Sequence, residues 1–254
     1  MKTVKIAVTN QKGGVGKTTT AVNVAFYLSK MGKKVLLIDF DPQGNATSGL
    51  GFEKQHLKKT IVNVVDNTLG LNEVIYETKF KNLWLVPATQ ELANAEPGLA
   101  AKRDRFVRLA KAIMTIEKYY DYIIIDVPPS LGLLTINALV AARYVLLPVQ
   151  AEFYALEGLG QLLETMKLTK KLNPSLELMG VLVTMVDGRT TLAAQVCEEI
   201  KKYFPGKVFE NLIPRNVRLA EAPSHGLPVG AYDAISKGAR AYKAVTKEIV
   251  GRVK

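Results

Sequence analysis

The sequence predicts an α/β fold: a doubly wound, mostly parallel sheet with helices on both faces. Three observations point there. Short β-rich apolar runs alternate with helical segments along the whole chain, the pattern of successive βαβ units. Runs such as Tyr122–Asp126 (YIIID) and Tyr144–Val149 are apolar almost without interruption, as strands buried on both faces are. A glycine-rich turn joins the first strand to the first helix, the place where such folds put a ligand.

Taken in order, the strands are expected at Val4–Thr9, Val35–Asp39, Leu83–Pro87, Tyr122–Asp126, Tyr144–Val149 and Leu178–Thr184, with a shorter one at Leu212–Pro214. The first helix spans Lys17–Met31. Ala21, Val24, Ala25, Leu28 and Met31 form one apolar stripe, and Gly32 stands where a C-terminal cap belongs. Further helices are expected over Leu99–Tyr119, Leu133–Ala142, Leu156–Leu172, Thr191–Phe204 and Ala234–Arg252. Residues Gly51–Lys81 are the least regular and read as an excursion over one edge of the sheet. The chain has no evident linker, low-complexity tract or internal repeat, so residues 1–254 read as one domain.

With 48% apolar and 22% charged residues, the composition is that of an ordinary globular protein. The single cysteine, Cys197, cannot pair within the chain, and two histidines, His56 and His225, are too few for an evident zinc site. Lys and Arg exceed Asp and Glu by 11. From Arg189 to Lys254 there are 12 basic and 6 acidic residues, so the last quarter alone carries +6. Such a surface favours polyanions. The N-terminus turns polar too quickly for a signal peptide. Leu131–Val149, the most apolar stretch, contains Asn137, Arg143 and Pro148 and reads as a buried helix and strand rather than a span. A cytoplasmic protein is expected.

The strongest motif is Lys12-Gly13-Gly14-Val15-Gly16-Lys17-Thr18-Thr19, between the first strand and the first helix. Glycines there let backbone N–H groups turn inward, and the helix N-terminus adds its positive dipole end. Lys17 can reach β- and γ-phosphates, and the Thr18 hydroxyl can ligate Mg²⁺. A strict P-loop has glycine where this chain has Gln11, and Lys12 is an extra lysine. The motif is therefore of the deviant Walker A type. Asp126 ends the strand YIIID, where a carboxylate would meet the metal. Asp39 and Asp41 end the second strand at the same edge; one suits the metal's waters and the other an attacking water.

The segments KGGVGKTTT (12–20), IDFDPQGNAT (38–47), IIIDVPPSLG (123–132) and LIPRNVRLAEAPSHGLPV (212–229) together resemble the ParA/MinD class of ATPases, most closely its chromosomal ParA members of the Soj type. The resemblance runs essentially end to end. It implies ATP and Mg²⁺ as ligands, and an ATP-dependent homodimer in which Lys12 crosses the interface to the partner's nucleotide. It implies that Asp41 positions the hydrolytic water, that Asp39 and Asp126 support the metal, and that adenine lies near Pro214, Arg215 and Asn216. It further implies non-specific double-stranded DNA binding, here through Arg189 and Arg218, a nucleoid location, and a ParB-type centromere-binding partner that stimulates a slow turnover. Three rivals remain beside this reading. A membrane-cycling ATPase of the MinD kind would use the last helix, with Ile235, Ala239, Tyr242, Val245 and Ile249 on one face, but stable membrane association is not expected. A metabolic enzyme on the same scaffold would need cluster-binding cysteines if nitrogenase-reductase-like, where Cys197 alone reads as a small core residue, or a second substrate pocket if ligase-type. A nucleotide-gated DNA scaffold without turnover would share the site. Ser130 reads as a turn or cap residue, His225 as a loop residue near the nucleotide, and Trp84 as core.

Overall fold

The computed structural model describes residues 2–152 and 159–253. Its seven strands are β1 (Val4–Val8), β2 (Val35–Asp39), β3 (Tyr76–Glu77), β4 (Leu83–Val86), β5 (Tyr122–Asp126), β6 (Tyr144–Gln150) and β7 (Glu177–Thr184). They form one sheet in the order β3-β4-β2-β5-β1-β6-β7. All pairings are parallel except the short edge strand β3, which runs antiparallel to β4. The expected doubly wound architecture is present.

Why both faces are covered follows from the alternation of side chains along a strand. Ile6 and Val8, Val35 and Leu37, and Tyr122 and Ile124 enter one apolar core. Ala7, Leu36 and Ile38, and Ile123 and Ile125 enter a second core on the opposite face. The helices that supply the other halves are α1 (Lys17–Lys30), α2 (Asn45–Gly49), α3 (Ile61–Asp66), α4 (Glu91–Ala100), α5 (Arg108–Met114), α6 (Leu133–Ala141), α7 (Leu159–Thr169), α8 (Thr191–Tyr203), α9 (Val217–Glu221), α10 (Val229–Tyr232) and α11 (Lys237–Arg252). Helices α1 and α11 serve the first core and α3 to α6 the second. A third cluster lies between the β6–β7 edge and helices α7 and α8.

Several expectations are corrected. The helix expected over Leu99–Tyr119 is instead two helices and a turn of 3-10 helix at Glu117–Tyr119. Helix α4 starts earlier, at Glu91, and carries Pro97 inside it, which hid its pattern because proline normally ends a helix. The break after Ala100 falls on the charged run Lys102-Arg103-Asp104-Arg105, which has no apolar stripe to bury. Asn137 of α6 stabilises that break, donating to the Arg105 carbonyl (2.5 Å) and accepting from the Leu109 N–H (3.3 Å). Leu212–Pro214 is not a strand. Met185, with φ of 54°, interrupts the regular strand beyond β7, so the segment bonds to Val183 and Val186 as the isolated bridge Val186–Pro214. Strand β3 was not foreseen; at two residues it offers little edge for further pairing. It belongs to the 51–81 excursion, which does run along the sheet edge. The helix expected from Leu156 is α7, which begins at Leu159; Leu156, Glu157 and Gly158 lie outside the described residues.

The last helix starts at Lys237, capped by the Ser236 hydroxyl, which accepts from the Ala239 N–H (3.2 Å). Ala239, Tyr242, Val245 and Ile249 are buried in the first core, whereas Ile235 precedes the helix and is 83% exposed. The apolar stripe of α11 is thus covered by its own fold. Among the described residues no helix is long and apolar enough to cross a membrane.

Candidate functional site

The site begins where β1 ends. Gly14 and Gly16 have φ of 74° and 87°, a left-handed conformation that side-chain-bearing residues rarely adopt. Gly16 is also the N-cap residue of α1. That helix has no side-chain cap and no acidic residue in its first turn, so its first N–H groups and positive dipole end remain available to an anion. The loop is braced from behind: Asn10 donates to the Pro148 carbonyl (2.7 Å) and accepts from the Lys12 N–H (3.0 Å). The Thr184 hydroxyl of β7 donates to the Val15 carbonyl (2.9 Å).

Lys17, the first residue of α1, is 6% exposed. Its Nζ donates to the Lys12 carbonyl (2.9 Å). Burial pulls its pKa down, against the nearby negative charges of Asp126 and Asp41. Lys12 Nζ lies further out and is ion-paired with Glu152, just beyond β6.

The three carboxylates meet because β2 and β5 are neighbours, with Asp39 paired in register to Asp126. All three are buried, yet they are held differently. Asp39 Oδ2 accepts from both the Thr47 N–H (2.8 Å) and the Thr47 hydroxyl (2.7 Å), and Oδ1 accepts from the Asp41 N–H (3.3 Å). Burial nevertheless pushes its pKa up to about 6. Asp41 Oδ1 accepts from the Gln43 N–H (2.9 Å). Asp126 has no hydrogen-bond partner on either oxygen. Burial, together with the charge of Asp39, pushes its pKa well above the usual carboxylate range, while Thr18 and Lys17 act in the opposite sense.

Of the seven buried side-chain polar atoms without a partner among the described residues, five belong to Thr9, Gln11, Asp126 and Asn216. Buried polar atoms are normally paired, so this concentration around one loop marks a site organised for a polar ligand. No group of three or more acidic, histidine or cysteine side chains converges on a metal position among the described residues. That suits Mg²⁺, which typically takes one or two protein oxygens and completes its shell with phosphates and water. Thr18 and the unpartnered Asp126 fit that requirement.

Two clefts flank the N-terminus of α1. One, of about 260 Å³, is lined by Gly16, Thr19, Pro214, Arg215, Asn216 and Tyr242, among others. The Asn216 Oδ1 there is buried and unpartnered. The other, of about 280 Å³, lies between α1, α2 and the Ala222–Leu227 turn. Leu219 of α9 lines both. The N-terminus of α11 presses on this wall: a Cβ on Gly238 would come within 2.7 Å of the Leu219 side chain and 3.1 Å of Asn216 Oδ1.

The loop residues Lys12 to Thr19, the three aspartates and the Pro214–Asn216 segment are therefore brought to one edge of the sheet. The two arginines stand apart from it. Arg189 is 88% exposed at its side chain and paired with Asp187 (2.7 Å). Arg218, on α9, is paired with Glu221 (2.8 Å) and Asp233 (3.3 Å). Sequence reasoning missed Asn10, Thr47, Thr184 and Glu152. Only Thr47 sits inside a motif segment, where its hydroxyl two turns after Asp39 was a usable signal. It also missed Gly44, whose φ of 61° opens α2 and whose Cβ would meet the Ala88 carbonyl at 2.6 Å. Of the side residues, Ser130 accepts from the Thr135 hydroxyl at its carbonyl (2.5 Å), His225 stacks on Tyr232, and Trp84 is half-buried against Tyr120.

A family model described as an AAA domain matches residues 3–178. The sporulation initiation inhibitor protein Soj of Bacillus subtilis is 55% identical over 96% of this chain and 97% of its own length. The chromosome-partitioning ATPase Soj of Treponema pallidum is 48% identical over 96% and 95%. Among solved structures, a cobyrinic acid a,c-diamide synthase from Mycobacterium smegmatis, with bound ADP and magnesium, superposes with a TM-score of 0.86. Its identity is 35%, and 98% of this chain and 94% of that one are covered. With more than half of its residues shared with a Soj protein across nearly the whole length, this chain belongs to the Soj/ParA family of chromosome-partitioning ATPases.

Proposed function

We propose that this chain binds Mg²⁺–ATP, forms a homodimer with the nucleotides between its subunits, and holds double-stranded DNA without sequence preference in that state. Hydrolysis then resets it in chromosome or plasmid partitioning with a ParB-type partner, on the nucleoid and in the cytoplasm. The observation that carries the reading is the buried, unpartnered Asp126 carboxylate beneath an uncapped, glycine-rich helix N-terminus, with Lys17 beside it. Such an arrangement presents a carboxylate to a cation and N–H donors to an anion, and a metal–triphosphate answers both together.

Each residue then has a role. The N–H groups of Gly13 to Thr19 and the Lys17 ammonium bind phosphate oxygens. Thr18 would ligate Mg²⁺, with Asp126 and Asp39 supporting it. The metal supplies charge neutralisation at the phosphates. Asp41 accepts a proton from the attacking water or orients it. Lys12 reaches the partner's nucleotide and adds positive charge where it develops. Pro214, Arg215 and Asn216 wall the cleft that takes the base, with Asn216 Oδ1 placed to accept from an exocyclic amine. Arg189 and Arg218 contact DNA phosphates, and dimerisation doubles their number, so DNA affinity compounds. The single domain 1–254 carries all of these parts. The diamide-synthase name belongs to a structure at 35% identity, and the Soj relatives, one of them a chromosome-partitioning ATPase, stand at 55% and 48%.

The test is co-sedimentation with DNA in the presence of no nucleotide, ADP, ATP or a non-hydrolysable analogue. Retention with ATP and the analogue alone is expected. Equal retention without nucleotide overturns the reading.

A further inference from the structure

Both lysines of the loop already have an acceptor within their own chain. Lys17 donates to the Lys12 carbonyl (2.9 Å), and Lys12 pairs with Glu152, 140 residues away in sequence. Lys17 is the first residue of a long helix and stays where it is. Lys12 is different: its side chain is 38% exposed and that of Glu152 is 35% exposed.

Glu152 is held firmly at its backbone. Its N–H donates to the Gln150 carbonyl (2.9 Å), and the Ala151 N–H donates to the Thr184 carbonyl of β7 (3.0 Å). The loop is tied to the same strand through the Asn10–Pro148 bond (2.7 Å). Carboxylate and ammonium are therefore carried at the ends of neighbouring strands of one sheet, and their partly exposed side chains are the parts that can separate.

We propose that Glu152 is a positioning residue that holds Lys12 against its own subunit and releases it when a partner's triphosphate arrives. This inference rests on the reading that Lys12 acts across a dimer. Glu152 offers the ammonium one negative charge in partial contact with water, and a triphosphate offers several. A pair buried from water would resist exchange; one exposed by a third is weak enough to give way, at roughly 1.4- to 5-fold in equilibrium constant. A dimer releases two such pairs and binds two nucleotides. The nucleotide concentration for half-dimerisation should thus be raised by about the same 1.4- to 5-fold by the pair. The carboxylate also keeps the outlying ammonium from engaging other anions before a partner is present.

The test uses the full chain, with Glu152→Gln to remove the charge and Glu152→Asp to keep it on a shorter arm. In nucleotide-free protein, acetylation of Lys12 by a soluble amine reagent is followed by peptide mass spectrometry against the other lysines. Dimerisation is followed by light scattering over a titration with a non-hydrolysable ATP analogue. Glu152→Gln is expected to speed Lys12 labelling about 1.4- to 5-fold and to lower the analogue midpoint, with Glu152→Asp lying between it and the wild type. Unchanged labelling overturns the pair, and a raised midpoint overturns it as well, because Glu152 would then support the dimer. A wild-type protein that never dimerises with the analogue overturns the bridging reading itself, and the labelling arm then shows separately whether the pair exists.

Discussion

At the carboxyl edge of the sheet, Asp126 is buried without a partner and Lys17 is buried beside it, whereas Arg189 and Arg218 stand at the surface, each already paired with a carboxylate. The two regions hold charge by opposite means. The edge keeps its groups desolvated and fixed, so a ligand of the right charge gains strongly and without reorganisation. The surface arginines are solvated, and their Asp187, Glu221 and Asp233 partners must be given up or shared when phosphates bind. Each arginine is then worth little alone, and binding depends on how many act together. On the proposed reading, the edge is preorganised for chemistry and the arginines' contacts with DNA add to one another.

The largest effect expected from breaking this contrast is at the edge. Asp41→Ala should lower turnover by about 10²- to 10⁴-fold while nucleotide binding and DNA retention persist; phosphate release and co-sedimentation together check this, and normal hydrolysis removes Asp41 from the mechanism. Next is Arg218→Glu. It should weaken DNA binding at all sequences alike and flatten the dependence of log affinity on log salt by about 2 per dimer, with ATP-driven dimerisation intact. Anisotropy titrations at several salt concentrations measure the slope.

Smaller effects sharpen the electrostatic side. Thr47→Val removes the hydroxyl that Asp39 and the Ala88 N–H share. Leaving that buried carboxylate underbonded should cost about 1–3 kcal/mol in thermal or urea unfolding. A pH series tests the raised carboxylates. Asp39 titrates at about 6 in the folded chain and at about 4 in an unfolded one. Between those values the folded state binds more protons, so this group's contribution to stability falls as pH rises. Asp126 is raised further and acts with the same sign. Asp126→Asn in nucleotide-free protein should therefore gain stability relative to the wild type as pH climbs from about 4, read as a widening gap in unfolding midpoint. A constant gap would show that Asp126 is not desolvated as described. The smallest expected effect is Arg189→Ala: no change in stability beyond about 0.5 kcal/mol and a salt slope flatter by about 2 or less per dimer.

What the sequence made legible was local. Strand ends, the glycine loop and the acidic residues after β2 and β5 all follow from patterns of a few residues, and the structure places them where those patterns point. What it hid depends on contacts distant in sequence. The break between α4 and α5 is stabilised by Asn137, and Lys12 meets Glu152 only because β6 lies beside β1. The Leu212–Pro214 segment has the apolar content of a strand and bonds to Val183 and Val186, but the positive φ at Met185 interrupts the regular strand there, leaving a single bridge. Ile235 belongs to the helical stripe by spacing, yet Ser236 caps α11 after it and leaves it in water. Thr47 was visible as a residue but not as the support of Asp39, since that needs Gly44 to turn the chain back on the strand.

Asn216 stands at the N-cap position of α9 without capping it by its side chain, and Arg218 sits two residues later on the same short helix, with Leu219 close against Gly238. The wall of a cleft at Asn216 and the solvent-facing guanidinium of Arg218 thus belong to one five-residue piece of helix and its N-cap, so a substitution there bears on both surfaces at once.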